Sequence, residues 1–247
     1  MIFLNLKIEI LFLDDFLLKM SETYVQPAIL SDVEIKKELE VGNIIISPFS
    51  REQLSNCSYD VTLGEYYYRC TNQLEYFNPW QQDHVDKYWG EYLQAKPLTQ
   101  EEREKMKIDD SIGINDKVIL INPGETILGH TNEFIGGRNF ITTMMKSRSS
   151  LGRVGINFCK CSGWGDNNYY NIWTMEITNF SNSTVLLPVN RRIAQIVFLY
   201  TGKCENPYKS KYQTEPLPLE ELKNKWHPTM MLPKLHLDYE LKLNKNN

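Results

Sequence analysis

From Ile44 to Tyr200, short apolar runs alternate with turn residues: IIISPF, YDVTLGEYYYRC, KVILINPGETILG, FITTMM, VGINFC, YNIWTMEITNF, TVLLPV and RIAQIVFLY. Their β-branched and aromatic content predicts strands. Many short strands at this spacing imply a sandwich or a closed barrel. In the run Asn171 to Asn179, Trp173, Met175 and Ile177 share one face, and Thr174, Glu176 and Thr178 share the other. Two helix signals interrupt the pattern. Ser31-x-x-Glu34 is a capping box before Ile35, Leu39 and Val41, and Gly42 stops the run, so a short helix is predicted over 31–41. A second box, Thr99-x-x-Glu102, opens a stretch with almost no apolar face, which predicts a solvated helix inside an insertion at 71–112. After Gly202 the chain turns to Pro, Lys and Tyr and reads as a tail without a core of its own, one that orders on a ligand or partner. The organisation predicted is an N-terminal extension over 1–28, a β domain over 29–202 and a C-terminal tail or lid over 203–247.

Composition narrows the class. The 247 residues are 42% hydrophobic and 23% charged, enough to bury a sizeable core. Lys and Arg number 27 against 31 Asp and Glu, a formal charge of -4, so no basic field is available to hold polymeric nucleic acid. Five cysteines without a CxxC pair argue against a disulfide scaffold or a zinc ribbon and fit a reducing compartment. Met1 to Lys19 is apolar, yet Lys7, Glu9, Asp14 and Asp15 break it and no small-residue cleavage site follows. It is read as an accessory extension or as a start displaced from Met20. No run reaches the roughly 20 residues of a membrane helix, and a soluble cytoplasmic protein is expected.

Candidate chemistry lies in three places. Ser147 to Arg153 packs two guanidiniums and three hydroxyls into seven residues, a donor set suited to phosphate oxygens, although a polar turn would look the same. Gly163-Trp164-Gly165-Asp166 forms a turn whose carboxylate can accept from a sugar hydroxyl. Glu176 on the polar strand face is either solvated or inside a pocket. The Cys159-x-Cys161 pair reads as half-buried strand packing.

In this order the pieces resemble the dCTP deaminases of the trimeric dUTPase-like superfamily. That family carries G-R-S-S-L-A-R-L-G, T-A-G-(W/F)-I-D-P-G-(F/Y), a strand L-E-(L/F)-x-N, then P-G-M-x-I-G-Q-L-x-F and S-K-Y-Q-G-Q. The chain reads SRSSLGRVG at 147–155, CSGWGDNNY at 161–169, MEITN at 175–179, PVNRRIAQIVF at 188–198 and SKYQTE at 210–215. Upstream, ILSDVEI at 29–35, SYDVTLG at 58–64 and NPGETILGHTNE at 122–133 match the family's I-L-S-D-x-x-I, S-x-D-(L/V)-x-L-G and H-P-G-E-x-x-L-x-x-T-x-E. The resemblance implies a distorted jelly-roll β-barrel with a few short helices, assembled as a homotrimer with sites between subunits. It implies that Arg148, Ser149, Ser150 and Arg153 bind the triphosphate, with Gln195, Tyr208 and Lys211 near the phosphates, and that Asp166 holds the 3′-hydroxyl. Thr174 and Met175 would flank the substrate beside Glu176, the carboxylate that activates water at C4 of cytosine and then protonates the leaving amine. Ser149, Arg153 and Asp166 are carried over as catalytic with it. Mg²⁺ is expected on the triphosphate. No zinc is expected, because His84, His130, His227 and His236 lack the H-x-E and P-C-x-x-C context of zinc deaminases.

The main reading is therefore deamination of dCTP to dUTP. A dUTPase is the nearest competitor, but that family has an apolar residue where Glu176 stands. A bifunctional enzyme forming dUMP and diphosphate is the alternative, since Ser162-Gly163-Trp164 follows the A-G-(W/F) of bifunctional members. A non-catalytic nucleotide-binding trimer is the third, motivated by Ser147, Cys161-Ser162, Asn167-Asn168 and Glu215 at positions where the family differs.

Overall fold

The computed structural model describes residues 28–70, 74–160, 162–206, 208–213 and 217–238. The extension read over 1–28, apart from Ala28, lies outside the described residues, as do Cys161 and Glu215. The first helix forms where its capping box predicts it, as α1 (Asp32–Glu40). The Ser31 hydroxyl accepts from the Glu34 amide at 3.4 Å, and Gly42 leaves the helix at φ +79°. The strands that follow are β1 (Ile44–Ser47), β2 (Leu54–Ser55), β3 (Ser58–Thr62) and β4 (Tyr66–Arg69). A helix α2 (Gln82–Trp89), short strands β5 (Leu93–Gln94) and β6 (Lys96–Pro97), and helix α3 (Gln100–Met106) make up the insertion. The long strands are β7 (Lys117–Ile121), β8 (Thr126–Gly137) and β9 (Ile141–Ser147). One helical turn, α4 (Ser149–Arg153), leads to β10 (Ile156–Asn157), β11 (Trp164–Gly165), β12 (Tyr170–Asn179), β13 (Val185–Pro188) and β14 (Arg192–Tyr200). The described residues end in α5 (Leu219–Lys225) and two 3-10 turns, Pro228–Met231 and Leu235–Leu237.

The fold is β-dominated with a few short helices, as expected. One sheet runs β10-β12-β8-β4-β5 with β1 also on β8, a second runs β11-β9-β14-β3-β2, and a third runs β13-β7-β6. Antiparallel pairing places Glu176 opposite Leu128 and Thr174 opposite His130. Leu63 bridges Thr131, joining the second sheet to the first. Between them lies one core in which Tyr59, Val61, Ile127, Met175, Ile177 and Phe198 are fully buried. Trp173, Met175 and Ile177 all face it, as the alternation requires.

Four readings are corrected. The solvated helix is present, with both arms of its Thr99–Glu102 box formed, but α2 precedes it and was not foreseen. Its Val85, Tyr88 and Trp89 stand at i, i+3 and i+4 on one face, and Val85 and Trp89 are buried with Tyr68 and Leu128. The run VGINFC yields only two strand residues, because Gly155, Cys159 and Lys160 all take positive φ. Cys159 therefore sits in a turn rather than a strand, its thiol against the Met145 sulfur at 2.9 Å. Finally, the tail is well anchored. Leu222 packs with Phe134, Tyr170 and Ile172, while Met231 and Leu232 pack with Tyr68, Val85 and Trp89. Apolar residues spaced by prolines along the tail belong to two different clusters, so no single amphipathic period reveals them.

Candidate active site

The turn before β12 is built to lie against β9. A Cβ on Gly163 would stand 2.4 Å from the Met145 carbonyl oxygen, and one on Gly165 would stand 2.3 Å from the Thr143 hydroxyl. Glycine at both positions lets Trp164 and Asp166 project from a backbone pressed onto the sheet. The Trp164 indole donates to Asp166 at 3.1 Å. Asn168 occupies the place of the family's motif glycine at φ +70°, a conformation asparagine tolerates. Its amide donates to the Gly137 carbonyl at 3.0 Å, and its side-chain oxygen accepts from the Asn139 amide at 3.1 Å.

Next to this turn is a cavity of about 510 Å³. Asp166, Thr174, Glu176 and Tyr208 all line it, together with Trp164, Tyr169 and Met231. Glu176 is half-buried, and its Oε2 has no hydrogen-bond partner. Burial pushes its carboxyl above the ordinary glutamate value, against a hydrogen bond from its own backbone amide and the field of Lys160. Such a group holds its proton to higher pH than an exposed glutamate and is suited to both take and return one.

The tail completes one wall. Gln213 is buried, accepting from the Tyr170 amide at 3.2 Å and donating to the Asn168 carbonyl at 2.7 Å, which seats residues 208–213 over the turn. Tyr208 meets Tyr169 edge-on at 5.7 Å and donates to Ser210 at 2.6 Å. Burial raises its phenol, with the Ser210 bond working the other way.

The remaining expected site residues lie elsewhere. Ser149, Ser150 and Arg153 are exposed on α4 and do not line this cavity. Arg148 caps α4 and, with Arg192 and Gln195, faces the buried Asp60. Arg192 approaches that carboxylate at 3.1 Å, the Gln195 amide donates to it at 3.2 Å, and the Arg148 Nε stands at 3.8 Å. A single copy thus separates the guanidinium and hydroxyl group from the Glu176 cavity. Met175 is fully buried, so its side chain belongs to the core and not to a ligand surface. Lys211, expected near phosphates, is paired with Asp238.

Several lining residues were missed. Trp164, Tyr169 and Tyr212 occupy aromatic positions of the motifs, a signal that was available. Trp89, Met231 and Pro233 gave none, since they come from the insertion and the far tail. Of the histidines, His130 is buried between the Tyr66 amide at 3.2 Å and the Thr131 carbonyl at 2.8 Å, a structural position. Among the described residues no three His, Cys, Asp or Glu side chains converge on a metal-sized site.

A family model described as dCTP deaminase-like matches residues 29–201. The chain belongs to the dCTP deaminase-like family. Its similarity extends to the dCTP deaminase, dUMP-forming, of Nanoarchaeum equitans, 30% identical over 185 residues, which are 74% of this chain and 89% of that protein. The protein of the same name from Methanosphaera stadtmanae is 32% identical over 185 residues, 73% of this chain and 84% of that one. Among solved structures, the 2′-deoxycytidine 5′-triphosphate deaminase from Agrobacterium tumefaciens is similar with a TM-score of 0.49 and 15% identity over 70% of this chain. The match spans about half of that structure's length, 48%. These matches meet the expectation of the family and of a hydrolase-class enzyme. No helix among the described residues is long and apolar enough to cross a membrane.

Proposed function

We propose that the chain converts dCTP to dUMP by two hydrolytic steps, deamination at C4 of the cytosine and release of diphosphate. The observation that carries the first step is the half-buried Glu176 carboxylate, its Oε2 without a partner, in one cavity with Asp166 and Thr174. The carboxylate takes a proton from water as the oxygen bonds to C4, then returns it to the departing amine, so that one group serves as base and acid. The second step is favoured over simple release of dUTP because both relatives above are named for forming dUMP. In it a second water attacks the α-phosphorus as the bond to the β-phosphate oxygen breaks and diphosphate leaves, with Asp166, the other carboxylate lining the cavity, taking the water's proton.

The substrate arrives as the Mg²⁺ complex of its triphosphate. Arg148, Ser149, Ser150 and Arg153 supply guanidinium and hydroxyl donors for the phosphate oxygens, with Gln195 beside them. Because these stand apart from Glu176 in one copy, the reading requires a homotrimer in which the α4 region of one subunit meets the cavity of its neighbour. The described cysteines Cys57, Cys70, Cys159 and Cys204 form no disulfide with one another, the state that a reducing compartment maintains.

The test is direct: incubate the protein with dCTP and Mg²⁺ and separate dUTP, dUMP, diphosphate and ammonia over time. Ammonia and dUMP in equal amounts support both steps. Accumulating dUTP without dUMP restricts the activity to deamination, and unchanged dCTP refutes the reading.

A further inference from the structure

Glu176 lies at the junction of two cavities, the one described above and a second of about 780 Å³. Three residues line both: Glu176 itself, Leu128 opposite it on β8, and Trp89 at the end of α2. Met231 closes the first cavity from the C-terminal side. Met231, Trp89 and Leu128 belong to one apolar cluster and are 4%, 8% and 5% exposed, so this wall is a packed surface and not a loose flap. Its parts come from distant stretches of chain, and Met231 lies beyond residues 29–201 that the family model covers.

We infer that Met231 and Trp89 are positioning residues for Glu176, forming with Leu128 an apolar wall that shields one side of its carboxylate from solvent. The inference rests on the role given to Glu176 above and adds what sets its chemistry. The thioether and isobutyl groups cannot donate a hydrogen bond and the Glu176 Oε2 takes none from the Trp89 indole, so the charged form is disfavoured and its affinity for a proton rises.

The other groups that could set this affinity surround the wall, and two of them, Cys70 and Tyr88, pack against it, Tyr88 edge-on to Trp89 at 5.2 Å. Lys160, in the turn after β10, and Cys159 beside it both interact with the Glu176 charge. Asp166, Tyr169, Tyr208 and Tyr212 line the first cavity with it. Cys70, Tyr88 and Glu125 line the second. On β8, His130 is held opposite Thr174. A substitution at Met231 changes the identity of none of these groups, so the conservative Met231→Leu controls for any repacking around them.

The experiment compares wild type with Met231→Gln, which keeps the length but brings a polar amide, and with Met231→Leu, which restores an apolar side chain. Trp89→Leu opens the same wall from α2 and decides the question if Met231→Gln does not fold. Two readouts are taken on the full chain: the acidic limb of kcat/KM for dCTP with Mg²⁺, and the carboxyl band of Glu176 followed by infrared difference titration, assigned with Glu176→Gln. In Met231→Gln or Trp89→Leu both the limb and the band midpoint should move to lower pH by about half a unit or more, with Met231→Leu close to wild type. A midpoint unchanged in the folded polar variant, or already at the ordinary glutamate value in wild type, overturns the inference. If wild type does not deaminate dCTP, the function proposed above fails, while the infrared titration still decides the role of the wall.

Discussion

Glu176→Gln separates what this residue does for rate from what it costs in stability. The amide keeps the shape of the carboxylate but carries no transferable proton. General acid–base catalysis contributes about 10²–10⁴-fold, or roughly 2.7–5.4 kcal/mol of barrier, and deamination should fall by that factor with dCTP affinity nearly unchanged. Stability should move the other way. The Oε2 atom is buried without a partner, and an unsatisfied buried polar group costs about 1–3 kcal/mol, more when charged. The amide retains part of this cost, because its own N–H group meets the same surroundings. The net gain for the Gln variant is about 1 kcal/mol, worth roughly 2–4 °C in Tm for a chain of this size. Its pH dependence has a definite sign. Burial raises the folded-state carboxyl above its unfolded value, so the wild type carries no penalty where both states are protonated. The penalty then grows as pH rises from the unfolded value, about 4.3, through the folded one. The Tm gap between the variant and wild type should therefore be widest near neutral pH and close as pH falls toward about 4. Thermal melts across pH and quenched-reaction chromatography of dCTP, dUTP and dUMP measure both effects. Wild-type turnover in the variant removes Glu176 from the chemistry, and a gap independent of pH refutes the account of its burial.

Three further outcomes follow from named contacts. Asp60→Asn removes the charge facing Arg148 and Arg192 at 3.8 and 3.1 Å; the KM for dCTP should rise about tenfold, while binding of deoxycytidine, measured by calorimetry, is unaffected. If Glu176 and Arg153 act across a subunit interface, then Glu176→Gln and Arg153→Ala, each inactive alone, should recover activity when refolded together, with a solution mass three times 29.0 kDa; no recovery in mixed trimers would place both residues in one subunit's site. Leu222→Ala should destabilise the protein by about 2–4 kcal/mol in denaturant unfolding, because Leu222 is 5% exposed against Phe134, Tyr170 and Ile172; a loss below about 0.5 kcal/mol would mean that α5 is not seated on that cluster.

How far the sequence reaches can be judged residue by residue. Both N-caps were legible because each is closed by a hydrogen bond between residues three apart, with both arms of the box formed at Thr99–Glu102. The two faces of β12 were legible because strand side chains alternate whatever the strand is paired with. The pairing of Glu176 with Asp166 in one pocket was implied by ordered motifs, each bound to a local turn or strand. The reach of β8 over twelve residues was not legible, since His130, Thr131, Asn132 and Glu133 interrupt its apolar pattern. The burial of His130, Thr131 and Glu133 makes sense only through partners far along the chain, such as Thr62 and Gln53 on Glu133. The seat of the tail, the separation of Arg148 to Arg153 from Glu176, and the wall formed by Trp89 and Met231 were likewise settled only by folding. Local propensity and periodicity are written in neighbouring residues, whereas the meeting of residues 89, 128, 176 and 231 depends on which surfaces remain apolar after every strand has found its partner.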